Sequence, residues 1–317
     1  MKTVVSLQEL VDVEIRPDGL FDAFRDLTRA SVAALASGPL ADCACQACGS
    51  PASRPAFDKL GLTYRECEAC RSVFVSPRPG AAALAEYYRS SPAALFWRDR
   101  VLQETRETRR AKLAAPRAEW VSEGLSEHRP HGRRGLDLSP HGDSVIAELK
   151  AITAGLQIQT LPLGEGAPLA EASVDFVMAF DTVDRVHDVR ALMAQLHRAL
   201  QPGGLLFVTA PTISGFDLQV LWDRSASILP PDKLNLLSVE GLGRLFASTA
   251  WDIIELSTPG MFDVENVRHA IEQAPGADWP RAIRRLVDGT EGARLELQEY
   301  LQRRRLASFA RLVVRRK

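Results

Sequence analysis

Five cysteines fall between Cys43 and Cys70, and four of them form two Cys-x2-Cys pairs, Cys45/Cys48 and Cys67/Cys70, with 18 residues between the pairs. Two intervening residues let each pair sit on one tight turn with both sulfurs aimed at a common centre. Two such turns supply four thiolates in tetrahedral array, the donor set of a structural zinc ion. The expected ligands are therefore Cys45, Cys48, Cys67 and Cys70. A closed four-sulfur shell leaves no position for water, so the expected role of Zn2+ is structural, and its binding supplies much of the folding energy of so small a module. Cys43 is the alternative to Cys45 as a ligand, although the x2 spacing favours Cys45.

The segments around this cluster divide the chain into four parts. Residues 1–40 read as a helical leader that stops at Gly38-Pro39. Residues 41–80 hold every cysteine and close on Ser76-Pro77-Arg78-Pro79-Gly80, a turn signal. Residues 81–128 read as a helical linker. Leu84, Tyr87, Tyr88, Leu95, Phe96 and Trp97 give it apolar surface, and the charged run RDRVLQETRETRRAK is expected to lie exposed. The aromatic residues Tyr87, Tyr88, Phe96 and Trp97 either wall a substrate pocket or pack between domains.

From residue 129 to 317 strands and helices alternate. GLDLS (135–139), LQIQTLPL (156–163), VDFVMAFD (174–181), LLFVTAP (205–211), WDIIELSTP (251–259) and FARLVVRRK (309–317) read as strands. DSVIAELKAI has helical spacing with Val145, Ile146, Leu149 and Ile152 on one face, and VRALMAQLHRAL directs Val189, Leu192, Met193, Leu196 and Leu200 inward. Gln201-Pro202-Gly203-Gly204 stops the second helix, because proline cannot continue it and glycine permits the reversal. This rhythm predicts an α/β sheet with helices on both faces.

Composition sets outer limits. Of 317 residues, 46% are hydrophobic and 25% charged, with a net charge of −1, so no global bias toward nucleic acid or membrane is present. The tail 281–317 is basic, carrying 11 Arg/Lys against 4 Asp/Glu. It reads as a solvated helix followed by a last strand. The sequence holds no run of about 18 apolar residues, the length a membrane helix needs, and its N-terminal stretch lacks a signal peptide's apolar run, so a cytoplasmic protein is the expectation.

The ribbon followed by RSVFVSPRP (71–79) resembles the N-terminal zinc-binding module of a bacterial SAM-dependent methyltransferase family that includes sugar C-methyltransferases. EYYRSSPAALFW (86–97), RRAKLAAPRAEWV (109–121), SVDFVMAFDTVDRVHD (173–188), QPGGLLFVTAPTISGFD (201–217), PPDKLNLLSVEGLGRLF (230–246), LSTPGMFDVENVR (256–268) and SFARLVVRRK (308–317) extend the resemblance in matching order. It implies a Rossmann-like class I methyltransferase sheet behind a small zinc ribbon. It also implies S-adenosylmethionine (SAM) as cofactor and a small metabolite or carbohydrate-type substrate. The cofactor-binding residues it points to are Asp137, Ser139, His141, Gly142 and Asp181.

This chain departs from the family pattern in three places. Glycine is usual in the cofactor loop, where Ser139, His141 and Asp143 stand here and Pro140 removes a backbone donor. One strand–helix unit, whose strand ends in a carboxylate for the ribose, is expected to be missing or shortened. Two Glu-His pairs are replaced by Asp184-Arg185 and Asp232-Lys233. The general bases left in reach are His187, Asp184 and His141. Two further readings stay open: a catalytically degenerate member that serves as a binding or scaffolding partner to another protein, and nucleic-acid binding through the ribbon and the basic tail. The ribbon's mixed charge speaks against nucleic acid.

Overall fold

The computed structural model describes residues 4–5, 10–161, 169–247 and 250–317. The first residues of the leader, and Pro162 and Leu163 at the end of one expected strand, lie outside the described residues. A 19-residue helix, α1 (Asp18–Ala36), leads into the cysteine region. There β1 (Ser53–Lys59), β2 (Leu62–Cys67) and β3 (Val73–Val75) form an antiparallel sheet. α2 (Ala81–Ser90) follows.

Tyr87, Tyr88, Phe96 and Trp97 pack with Phe24 and Val32 of α1 and with Leu62, Tyr64, Val73 and Val75 of the ribbon. These aromatics are core, joining leader, ribbon and linker. The linker runs on as one long helical path from Pro92 to His128, ending in α3 (Ala115–His128). It is interrupted by two single π-helical turns, Trp97–Val101 and Arg110–Ala114. Each wide turn inserts a residue and changes the face on which later side chains appear. The charged run is therefore not uniformly exposed: Val101 and Thr105 are buried and Arg109 turns inward.

Six strands build the main sheet: β4 (Arg134–Asp137), β5 (Gln157–Thr160), β6 (Val174–Phe180), β7 (Leu200–Pro211), β9 (Trp251–Ser257) and β10 (Phe309–Arg316), with the two-residue β8 (Asn235–Leu236) lying outside it. Their spatial order is β9-β10-β7-β6-β4-β5. The last four of these run parallel, and β10 lies antiparallel to both neighbours. β5 pairs in parallel with β4 and is the edge strand of the sheet among the described residues. β7 starts at Leu200 rather than Leu205. Its pairing with β6 skips from Val174–Leu200 to Phe176–Leu205, and the intervening residues bulge through Gly203 at φ 74°.

Strand alternation assigns the two faces. Phe176, Met178, Phe180 and Phe207 meet Trp120, Val121 and Leu125 of α3 and Val145 and Leu149 of α4 (Asp143–Ile152). Val177, Ala179, Leu206 and Val208 meet α5 (Val189–Ala199) and α6 (Val239–Phe246). Ile152, placed on the buried face by periodicity, is instead exposed at the end of α4. No helix among the described residues is long and apolar enough to cross a membrane.

The basic tail forms a short helix (Arg281–Val287), α8 (Glu291–Arg303) and β10, and packs with α7 (Asp263–Gln273). Several of its cations are paired: Arg294 with Glu265, Arg311 with Glu255 and Arg315 with Asp252. At the base of this layer the carboxyls of Asp217 and Asp263 are buried against each other. Asp263 accepts from the Ser308 amide at 2.8 Å, and Asp217 accepts from Asn266 at 2.7 Å. Burial and the facing carboxylate push Asp263 up to about 8, so the folded pair retains a proton that the unfolded chain releases near pH 4. A carboxyl raised on folding stabilises below its unfolded value and loses that contribution as pH climbs to the folded value. The thermal midpoint should therefore fall between pH 4 and 8. Asp217→Asn, which supplies a fixed donor, should flatten that slope in calorimetric scans.

Candidate active site and cysteine cluster

The sulfurs of Cys45, Cys48, Cys67 and Cys70 lie within 4.8 Å of one another. Two equivalent knuckles place them. In the first, Gly49 N–H donates to Cys45 O at 2.8 Å and Cys45 N–H to Ser50 O; in the second, Arg71 N–H donates to Cys67 O at 2.9 Å and Cys67 N–H to Ser72 O. Gly49 and Arg71, each just after a second cysteine, take positive φ of 75° and 62°. Opposing pairs approach at 3.5 Å (Cys45–Cys70) and 3.6 Å (Cys48–Cys67). Four sulfurs at about 2.3 Å from one centre require separations of this size. Cys43 points away, its thiol directed at Val75 O. Three of the four clustered cysteines are fully buried and belong to the same core as the main sheet.

The second site lies at the carboxyl ends of β4 and β6, where an α/β sheet characteristically offers a crevice. Asp181 follows β6 with φ 51°, an uncommon conformation for a residue with a side chain and one that clusters at functional sites. Its carboxylate, 34% exposed, accepts from Arg117 of α3 at 2.9 Å. Burial opposes its ionisation, but Arg117, Lys233 and Arg185 prevail and hold it below the ordinary carboxylate range. Three residues on, two ion pairs form crosswise: Asp184 with Lys233, and Arg185 with Asp232 at 2.9 Å. Asp184 is fully buried, and that burial raises its pKa despite the neighbouring cations. Tyr88 donates to Pro231 O at 3.0 Å beside these pairs.

Asp137 ends β4 completely buried. Its Oδ1 accepts from the Ser139 hydroxyl at 2.6 Å and amide at 3.2 Å, while its Oδ2 has no partner among the described residues. Burial lifts its pKa to about 6. The loop above stays open: Ser139 and Pro140 are half-buried and His141 is exposed. Solvent reaches the His141 ring while protein crowds around it. That crowding, with Arg185 and Arg109 nearby, lowers its pKa to about 4, so it is neutral at pH 7.

Of the residues singled out from sequence, Asp137, Ser139, His141, Gly142 and Asp181 lie at the carboxyl ends of β4 and β6, and Asp184 is buried three residues after Asp181. His187 stands apart, half-buried beside Arg78 and Asp188. Sequence reading missed Arg109 and Arg117. Arg109 bonds Thr105 and Ile15 O and stacks on Trp97, with no carboxylate partner among the described residues. No periodicity announces the π-helical turns that precede them, the first before Arg109 and both before Arg117.

A family described as "Methyltransferase domain" matches residues 60–256. The chain belongs to that methyltransferase family. No curated protein matches it. Among solved structures, a SAM-dependent methyltransferase from Mesorhizobium loti is 18% identical, covering 63% of this chain and 98% of its own, with a TM-score of 0.36. A Thermotoga maritima SAM-dependent methyltransferase, described as a possible histamine N-methyltransferase, is 13% identical, covering 70% and 98%, with a TM-score of 0.39. At those scores the assignment rests on the family match alone.

Gly142 is the one glycine of this loop, and geometry explains it: a Cβ there would lie 1.7 Å from Asp137 Oδ2. Gly142→Ala should destabilise the protein by about 1–3 kcal/mol in denaturant titration, because the loop must lift off the carboxylate.

Proposed function

We propose that this protein transfers a methyl group from SAM to a small metabolite or carbohydrate-type acceptor in the hollow above β4 and β6, and that Cys45, Cys48, Cys67 and Cys70 hold one structural Zn2+. The observation that carries the first part is the open loop over Asp137, whose outer surface remains accessible despite its lost glycines. The donor set and sulfur spacing carry the second.

The residues present fit SAM. Asp181 offers an ionised carboxylate to an ammonium, and Gly142 keeps the main chain seated on Asp137. β5 ends at Thr160 without a carboxylate for ribose hydroxyls. When bound, SAM supplies an electrophilic methyl group on a sulfonium. The chain's contribution is orientation, which converts an encounter into an in-line approach. Arg117 fixes Asp181 in one rotamer by hydrogen bonding and by lying over Phe180. The crossed ion pairs hold the floor rigid and keep Asp184 from acting as a free base. Where the acceptor must lose a proton, His141 is the neutral, solvent-reached base.

Titration calorimetry with S-adenosylhomocysteine (SAH) tests this reading. Folded, metal-loaded protein should give a saturable heat, and a flat trace overturns it. His141→Gly should tighten SAH binding by vacating the loop. With an acceptor that needs deprotonation, the same change should slow SAH formation about a hundredfold. Any one of Cys45→Ser, Cys48→Ser, Cys67→Ser or Cys70→Ser should abolish zinc retention by elemental analysis, whereas Cys43→Ser should retain it.

A further inference from the structure

Among the described residues Arg78 is the largest side chain sealed entirely from solvent, and its guanidinium has no carboxylate within hydrogen-bonding distance. It is satisfied by three acceptors on three separate segments: Val75 O of the ribbon at 2.9 Å, His187 O of the loop after β6 at 2.7 Å, and Asn235 Oδ1 of β8 at 3.0 Å. Asn235 continues the chain of contacts. Its Nδ2 donates to Val183 O and Val186 O, both at 2.9 Å, and its amide to Asp184 O at 3.1 Å. One asparagine thus clasps both sides of the turn bearing Asp184 and Arg185, while sitting two residues after Lys233.

β8 is also the fourth strand of the ribbon sheet, pairing with β3 through Asn235–Phe74 and Leu236–Val73. The second knuckle grips both elements. Ser72, just before β3, has its hydroxyl 3.3 Å from the Cys70 sulfur and accepts from the Ser238 amide at 3.0 Å, and the Ser238 hydroxyl donates to Cys70 O.

We propose that Arg78 and Asn235 are positioning residues that couple the cysteine cluster to the hollow: a metal on the four sulfurs, acting through β3 and β8, fixes the crossed Asp184–Lys233 and Arg185–Asp232 pairs. The ribbon is thereby part of the site's floor, and loss of its metal loosens the site. This rests on the zinc and hollow assignments above.

Amide hydrogen exchange of the full-length chain, read by mass spectrometry, needs no ligand and tests the coupling directly. Chelating the metal should raise exchange in 183–187 and 232–236 about tenfold, along with the knuckles, while 134–152 stays protected. Arg78→Lys, which keeps the charge but loses the fork, should raise exchange in the same two segments with the metal still bound. If Arg78→Lys does not fold, Asn235→Ser must give this pattern. The His141 ring, which faces Arg109, Asp181, Arg185 and Asp232, provides a second readout: its NMR titration midpoint should move toward the ordinary imidazole value in Arg78→Lys as Arg185 shifts. Exchange that rises only in the knuckles, or an unmoved His141 midpoint, overturns the proposal. Unlinked exchange with intact SAH binding removes the coupling alone, and linked exchange without SAH binding removes the methyltransferase reading alone.

Discussion

A guanidinium cut off from water must be given acceptors, and the acceptors of Arg78 come from segments the sequence keeps far apart. That requirement explains why ribbon and sheet are not two bodies on a tether. The buried cysteines share one core with Val177, Leu206 and Leu312 of the main sheet, and the ribbon borrows a strand from the far half of the chain. A module of about 40 residues has too little apolar interior to stand alone. Here the borrowed strand and the shared core make up the deficit, with the cysteine cluster seated between them.

Two ion pairs beside the carboxyl end of the sheet join segments distant in sequence. Asp184 meets Lys233 and Arg185 meets Asp232, so the charges of one segment are answered by the other. Breaking such a buried pair by removing one partner leaves an uncompensated charge, which is far costlier than never having the pair. The result is a set of fixed ions, with one histidine in the loop nearby.

Much of the architecture was legible because its signals are local. The Cys-x2-Cys spacings located the cluster, and the strand reading of VDFVMAFD located the central strand. Asp137 and Gly142 were readable from motif order, and their contact from nothing but the coordinates. The strand Asn235–Leu236 was not legible, since two residues carry no periodicity. Arg78 looked like part of a turn because its burial depends on acceptors supplied from elsewhere. Ile152 was misplaced because helical spacing cannot tell which end of a face runs past its partner. Arg109 and Arg117 were hidden by the assumption of a regular 3.6-residue repeat across a helix that breaks it twice.

Those two wide turns carry a consequence for how the protein can change. Each takes up one residue beyond the regular repeat, so deleting one residue at Arg110–Ala114 would let that repeat resume with Arg117 still turned toward Asp181. A deletion within the regular stretch Ala115–His128 has no such slack and would turn every later side chain by about 100° about the axis. Changes of length along this rod are therefore absorbed at the two wide turns and disruptive elsewhere.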